Sequence, residues 1–463
     1  MDRLFGTDGV RGVANRDLTP DLAYALGFAS AHVLAEHTMH RPVIVVGTDT
    51  RISCDMLGAA LMSGVTSAGA DVLFAGVITT PGVAWLTRIH NADAGVMISA
   101  SHNTFEYNGI KLFSGDGFKL PDETEDEIEA FVFEVDQNKV TRAIGKDVGR
   151  IRHLDSVYEE YTEHLLDGIE LDLTGIKMVV DCANGSSSHF APKLLETLGA
   201  DVIAIHHSPD GCNINRNCGS THLESLIEQV LDTGADIGVA FDGDADRLLL
   251  VDEKGQICNG DVILAILALH LRDRNELRGN TIVATVMSNL GLERLAEREG
   301  INFIRTAVGD RYVLQCMLEE NYALGGEQSG HVILLDHTTT GDGILSLLYF
   351  LQAVDHDIRE VGLSEMCKIM DVIPQLIRNV HVENGHKKTV MEHPDLIYVI
   401  EETERELGMD GRVLVRASGT EPLVRVMLEG IDQSRIDGYA DKMVSVIERI
   451  LEDLIDSSPD DQF

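Results

Sequence analysis

The phrase G-A-D occurs three times in matching surroundings: S-A-G-A-D-V at 67–72, T-L-G-A-D-V at 197–202 and D-T-G-A-D-I at 232–237. In each, a helix-periodic stretch closes on a glycine suited to the left-handed position just past a helix, and a β-branched run follows. A helix-to-strand joint used three times restricts the chain to serial strand–helix units. Continuously apolar runs lie around these joints: V-I-V-V-G at 43–47, K-M-V-V-D at 177–181, I-G-V-A-F-D at 237–242 and T-I-V-A-T-V at 281–286. Such strands are covered on both faces, as in largely parallel sheets layered between helices. Ligands of such sheets gather at the carboxyl ends of the strands. The polar residues that end these runs therefore carry the functional interest.

A chain of 463 residues exceeds one ordinary core. Residues 121–150 are acidic and then linker-like, and further breaks fall near 250–260 and 370–380. The expected division is 1–153, 154–254, 255–369 and 370–463. The fold class is α/β: three similar mixed α/β domains followed by a smaller α+β C-terminal domain.

Charge narrows the partners. With 76 acidic against 37 basic residues the net charge is −39, a field that repels nucleic acid and anionic membranes. An anionic substrate would need a site that concentrates its own cations. No apolar stretch approaches the roughly 20 residues that span a bilayer, and M-D-R-L-F-G-T-D-G lacks a signal-peptide layout. A cytoplasmic location is expected. The seven cysteines (54, 182, 212, 218, 258, 316 and 367) are scattered and odd in number, which argues against a disulfide framework. Cys212 and Cys218 lie near His206 and His207, but the spacing is not a usual zinc pattern. All seven are read as structural.

Four polar loops follow in order. In G-V-M-I-S-A-S-H-N-T, residues 95–104, an apolar run stops at Ser101, flanked by His102 and Asn103, so Ser101 can serve as nucleophile or phosphate carrier, or simply close a turn. F-D-G-D-A-D-R, 241–247, alternates Asp242, Asp244 and Asp246. An EF-hand is ruled out by Arg247 at its sixth position and by the strand-like L-L-L-V-D that follows. Three converging carboxylates suit Mg²⁺ with positions left open for phosphate. G-G-E-Q-S-G-H, 325–331, sets Glu327, Ser329 and His331 on one rim able to meet sugar hydroxyls or an amine. R-A-S-G-T-E-P-L-V-R, 416–425, assembles Arg416, Ser418, Gly419, Thr420 and Arg425 as a phosphate cradle. A serine, a metal triad, a polyol rim and a phosphate cradle together describe phosphoryl transfer on a sugar phosphate.

With those motifs in place, nearly the whole chain resembles the α-D-phosphohexomutases. S-A-S-H-N-T, D-G-D-A-D-R, G-E-Q-S-G-H and R-A-S-G-T-E-P stand in the family's order, with Thr104 where many relatives have proline. The start L-F-G-T-D-G-V-R-G-V-A-N and the stretch P-D-G-C-N-I-N-R-N-C-G-S, 209–220, are similar to the branch that handles hexosamine phosphates. The resemblance implies four domains around a central cleft. It implies phosphorylated Ser101 and one Mg²⁺ per chain, held by Ser101, Asp242, Asp244 and Asp246. Arg247, Lys111, Arg11 and His331 would serve the reacting phosphoryl, with Glu327 and Ser329 on the sugar. It further implies interconversion of glucosamine 6-phosphate and glucosamine 1-phosphate, feeding UDP-N-acetylglucosamine and cell-wall precursors; the alternative is a phosphomannomutase/phosphoglucomutase. A homodimer is implied, and either an activating kinase or glucosamine or glucose 1,6-bisphosphate as primer of Ser101.

Overall fold

The computed structural model describes residues 3–6, 8–134, 140–418 and 422–456. Each G-A-D glycine acts as its surroundings predict. Gly69 (φ 101°) and Gly234 (φ 61°) cap the helices Ser53–Ala68 and Glu224–Thr233, and Gly199 (φ 98°) follows the helix Ala191–Thr197. Strands begin at once, as Asp71–Val77, Asp201–Ile205 and Ile237–Phe241.

Contacts divide the chain into two compact units, 1–287 with 299–369, and 288–298 with 370–463. The larger unit holds three mixed sheets. The first runs Val10–Val13, Tyr107–Ser114, Ala94–Ile98, Val43–Thr48, Asp71–Val77 and Ile151–His153. The second runs Ile257–Cys258, Leu248–Asp252, Ile237–Phe241, Lys177–Asp181 and Asp201–Ile205. The third runs Asn302–Thr306, Thr281–Thr285, Leu324–Gly326 and Val332–Leu334. Every residue of Ala94–Ile98, Ile237–Phe241 and Thr281–Thr285 is buried, which explains why these runs lack polar alternation.

One topological detail positions the site. Each polar loop of this unit joins an inner strand to an antiparallel neighbour rather than to a helix. Ala94–Ile98 pairs with Tyr107–Ser114, Ile237–Phe241 with Leu248–Asp252, and Leu324–Gly326 with Val332–Leu334. A short hairpin connection leaves little chain to wander, so the polar residues are fixed by the ladder on both sides.

The smaller unit is a three-stranded antiparallel sheet ordered Gln375–His381, Leu423–Gly430 and Gly411–Ala417. Val424, Val426 and Leu428 pack with Leu396 and Val399 of the helix Pro394–Leu407 and with Ile436, Met443 and Ile447 of the helix Gln433–Asp456. The helix Leu290–Arg298 belongs to it too: Asn289 exchanges hydrogen bonds with the Ile373 backbone (2.9 and 3.0 Å), and Leu290 N–H donates to Glu429 Oε1 at 3.3 Å.

The cysteines depart from expectation at one point. Cys258 and Cys367 form a disulfide across 109 residues, a pairing that scattered spacing does not signal. Among the described residues, no helix is long and apolar enough to cross a membrane.

Candidate active site

Ser101 stands three residues past the strand Ala94–Ile98, almost wholly buried, in the left-handed conformation (φ 51°). A non-glycine residue adopts that region only where its surroundings enforce it. Its hydroxyl donates to Asp242 Oδ2 at 2.6 Å and lies 3.3 Å from His102 Nδ1. Burial, then Arg247 and Arg11, press the His102 pKa down to about 4, so this imidazole is neutral near pH 7.

Asp242, Asp244 and Asp246 are all buried, and each brings a carboxylate oxygen within 4.8 Å of the others'. Burial, then Asp246 and Asp244, push the Asp242 carboxyl well above the usual range. Asp244 Oδ1 and Asp246 Oδ1 are buried with no hydrogen-bond partner among the described residues. Unpaired buried carboxylate oxygens beside like charges are costly, and a hard divalent cation with oxygen ligands relieves both defects. The donor set fits Mg²⁺.

Cations face this cluster. Lys111, on the strand Tyr107–Ser114, donates to Asp244 Oδ2 at 2.7 Å and approaches Asp246 Oδ2 at 3.4 Å. Burial would lower its pKa; Asp244, Asp246 and Asp8 more than reverse this, so it stays charged. The Arg247 backbone N–H donates to Asp242 Oδ1 at 3.3 Å, while its guanidinium Nε lies 4.0 Å from Asp246 Oδ1. Arg11 donates to Asp8 Oδ2 at 2.5 Å. The Nε atoms of Arg11 and Arg247 are buried without hydrogen-bond partners among the described residues, as expected of groups built to meet an anion.

The third loop joins the same centre. Arg247 and His331 form a backbone bridge, and His331 Nδ1 lies 3.9 Å from Asp246 Oδ1. Gly341 N–H donates to His331 Nε2 at 3.1 Å; burial lowers the His331 pKa, but Asp246, Asp310 and Glu327 outweigh it and hold the imidazole above its ordinary value. Glu327 Oε1 accepts from Gly309 N–H at 3.1 Å, and Ser329 Oγ donates to Glu327 Oε2 at 3.4 Å.

In the smaller unit, Arg416 and Arg425 occupy directly opposite positions of the antiparallel pair. Burial, then Arg425, lower the Arg416 pKa. Like charges at directly opposite positions repel, and an anion between them would offset that repulsion. Ser418 carbonyl accepts from Lys387 Nζ at 2.6 Å. Gly419 and Thr420 lie outside the described residues.

Several participants carry no motif signal. Thr80 Oγ1 donates to Asp244 Oδ2 at 2.5 Å. Lys119 Nζ bridges Asp8 Oδ1 (2.8 Å) and Asp310 Oδ2 (2.6 Å), and Asp310 Oδ2 lies 3.5 Å from His331 Nε2. A polar residue just past the strand Asp71–Val77, and another opening the helix Asp310–Glu320, could have been sought by the strand-end rule. Elsewhere Asp181, His206 and Cys218, not Cys212 or His207, bring potential ligand atoms within 4.8 Å of one another. Both Asp181 oxygens are already taken, by Ala183 and Gly219 N–H and by His206 Nδ1.

Four family models match in succession: phosphoglucomutase/phosphomannomutase alpha/beta/alpha domain I over residues 2–139, domain II over 159–255, domain III over 259–372 and the C-terminal domain over 378–446. A phosphoglucosamine mutase of Acetivibrio thermocellus is 52% identical over 451 residues, 97% of this chain and 100% of its own. The chain belongs to the phosphoglucosamine mutase family. A second member, from Caldicellulosiruptor saccharolyticus, is 52% identical over 452 residues, 97% of this chain and 99% of its own. Solved structures share the fold at lower identity. A phosphoglucomutase/phosphomannomutase family protein of Burkholderia thailandensis superposes with a TM-score of 0.80 at 23% identity, covering 97% of this chain and 98% of its own. Aspergillus fumigatus N-acetylphosphoglucosamine mutase, solved with GlcNAc-6P and magnesium, superposes at 0.65 with 17% identity, covering 96% of each chain. The phosphoglucosamine mutase family is thus represented here with its four domain types in order.

Proposed function

We propose that this chain interconverts glucosamine 6-phosphate and glucosamine 1-phosphate through phosphorylated Ser101 and a 1,6-bisphosphate intermediate. The observation that carries the reading is the buried Ser101 hydroxyl, 2.6 Å from Asp242 in a cluster of three carboxylates and faced by Lys111, Arg247 and Arg11. The 52% identical phosphoglucosamine mutases support the amino-sugar substrate over mannose or glucose phosphates.

In the forward step the sugar O1 forms a bond to the serine-borne phosphorus as the Ser101 Oγ–P bond breaks. The O1 proton passes to a base at the loop rim, and the neutral imidazole of His102 is the group poised to accept it. Lys111, held charged, serves as an electrostatic partner of the phosphoryl rather than as a base. Arg11 and Arg247 bring guanidiniums to its equatorial oxygens. Asp242, Asp244 and Asp246, with a phosphate oxygen on Ser101, would hold one Mg²⁺, which when bound offsets charge on the transferring group. Glu327 and Ser329 would hold sugar hydroxyls or the amine in either orientation. Arg416, Ser418, Gly419, Thr420 and Arg425 would grip the phosphate that is not reacting. The bisphosphate then returns its 6-phosphoryl to Ser101 and leaves glucosamine 1-phosphate. Glucosamine or glucose 1,6-bisphosphate, or a kinase, would prime Ser101. UDP-N-acetylglucosamine synthesis in the cytoplasm would consume the product, and a homodimer is the proposed assembly.

A coupled assay with Mg²⁺ on glucosamine, mannose and glucose 6-phosphates tests this reading. A strong preference for the amino sugar, lost in Ser101→Ala, is the expected result. Equal turnover of mannose or glucose 6-phosphate would move the chain to the neighbouring activity.

A further inference from the structure

The stretch P-D-G-C-N-I-N-R-N-C-G-S, 209–220, takes no part in the chemistry described above, yet one of its side chains reaches the nucleophile loop. Asn215 is buried and itself left-handed (φ 55°). Its Nδ2 donates to the Ser101 carbonyl at 2.7 Å and to the Asn103 carbonyl at 2.9 Å. Both neighbours are carbonyl oxygens, so only the nitrogen end of the amide can face them.

Arg51 grips the same loop from the other side. It donates to the carbonyls of Ser101 (2.9 Å) and Tyr107 (3.0 Å), and also to that of Thr104. Asp49 holds its Nε at 2.8 Å and accepts from Ser99 Oγ at 2.7 Å, and Ser99 Oγ in turn accepts from Ser101 N–H at 2.9 Å. Four carbonyls of the loop are thus satisfied by two side chains. Arg51 is fixed by its flanks: Thr50 Oγ1 donates to the Asn184 carbonyl at 2.6 Å, and Ile52 N–H to the Gly211 carbonyl at 2.8 Å.

The metal loop packs on the same point. A Cβ on Gly243, between Asp242 and Asp244, would stand 2.6 Å from the Ser101 carbonyl oxygen and 2.8 Å from Asn215 Nδ2. The glycine of D-G-D lets the carboxylate loop lie directly on the Asn215–Ser101 hydrogen bond.

We propose that Asn215, acting with Arg51, is a positioning residue for phosphoryl transfer: its amide holds Ser101 left-handed, so that the hydroxyl is presented to the carboxylate cluster. The proposal deepens the phosphoserine reading and rests on it. Because the hydroxyl direction follows the Ser101 backbone, loss of the clamp misplaces the nucleophile without touching substrate-binding groups.

The test compares Asn215→Ala and Asn215→Asp with the unmodified protein. Both variants are assayed for kcat and KM on glucosamine 6-phosphate and for phosphorylation of Ser101 by glucose 1,6-bisphosphate, read by intact mass. Hydrogen exchange is followed across residues 99–107. The alanine variant is expected to lose at least tenfold in kcat with KM within twofold, to phosphorylate Ser101 at least tenfold more slowly, and to exchange faster in 99–107. The aspartate variant, which sets an oxygen against two carbonyls, should lose more than the alanine variant in each readout. A purely structural role would lower the melting temperature and leave kcat per folded molecule and the phosphorylation rate within twofold of the unmodified protein, which would overturn the proposal. Should Asn215→Asp fail to fold, Asn215→Ala with Arg51→Lys decides by the same readouts. Failure of the unmodified protein to turn over any hexose phosphate would count against the functional reading, while unchanged exchange in 99–107 would count against the clamp alone.

Discussion

The Ser101 hydroxyl donates to Asp242 Oδ2 at 2.6 Å, across 141 positions of sequence, so the serine loop and the carboxylate loop are one structural object. Burial, then Asp246 and Asp244, hold the Asp242 carboxyl above its usual range. In EDTA, Asp242→Asn is expected to melt at or above the unmodified protein, because it removes one of three mutually repelling carboxylates. Mg²⁺ at about a hundredfold its Kd should stabilise the unmodified protein by about 2.7 kcal/mol, and Asp242→Asn far less. Scanning fluorimetry with EDTA and with MgCl₂ checks both; equal Mg²⁺ shifts in the two proteins would contradict the site. Ser101→Ala should lower kcat at least about a thousandfold.

Arg416 and Arg425 face each other across an antiparallel pair. Arg416→Ala should therefore leave thermal stability without ligand unchanged or higher. It should raise KM for the sugar phosphate roughly tenfold to a hundredfold, the loss of one or two charge-assisted hydrogen bonds. Steady-state kinetics beside a melting curve separates the two effects.

The single tryptophan, Trp85, stacks on His164 with ring centroids 4.9 Å apart. Burial, then Arg88, depress the His164 pKa from 6.5 to about 4. The folded chain then binds fewer protons than the unfolded chain between pH 6.5 and about 4, so this residue's contribution to stability is present above 6.5 and is lost as pH falls through about 4. Tryptophan fluorescence should titrate near pH 4, since a protonated imidazole quenches indole. His164→Gln should remove that step and flatten the acid limb of the stability curve. A fluorescence midpoint near 6.5 would refute the assignment.

A net charge of −39 repels itself at low ionic strength. Raising KCl from about 0.05 M to about 1 M shortens the screening length to about 3 Å, so the melting temperature should rise. A fall over that range would show that paired surface charges outweigh the repulsion.

Much of this molecule is legible in residue order because its signals are local. The three G-A-D joints announce their strands through a glycine conformation and an apolar run within six residues. D-G-D-A-D-R signals its buried cluster of three carboxylates by alternation alone. What stayed hidden depends on chain separation. Lys119, Asp8 and Asp310 form one network from three distant segments, none of which has a distinctive spacing. The hairpin character of the site loops was masked because buried antiparallel strands such as Leu248–Asp252 are as continuously apolar as parallel ones. Asn215 could not be singled out, since its role lies in two carbonyls more than a hundred residues away.

The Cys258–Cys367 bond gives the chain a topology that residue order does not suggest. It turns the segment carrying the whole third sheet into a covalent ring through which the polypeptide merely passes. A single backbone cut inside that ring would leave one molecule, not two fragments, until the bond is reduced. Tension applied at the two ends would bypass the ring altogether: its 109-residue span hides roughly 370 Å of extended chain from the applied force. Reduction would release that length, so the protein's response to pulling depends on the thiol state of two residues remote from its chemistry.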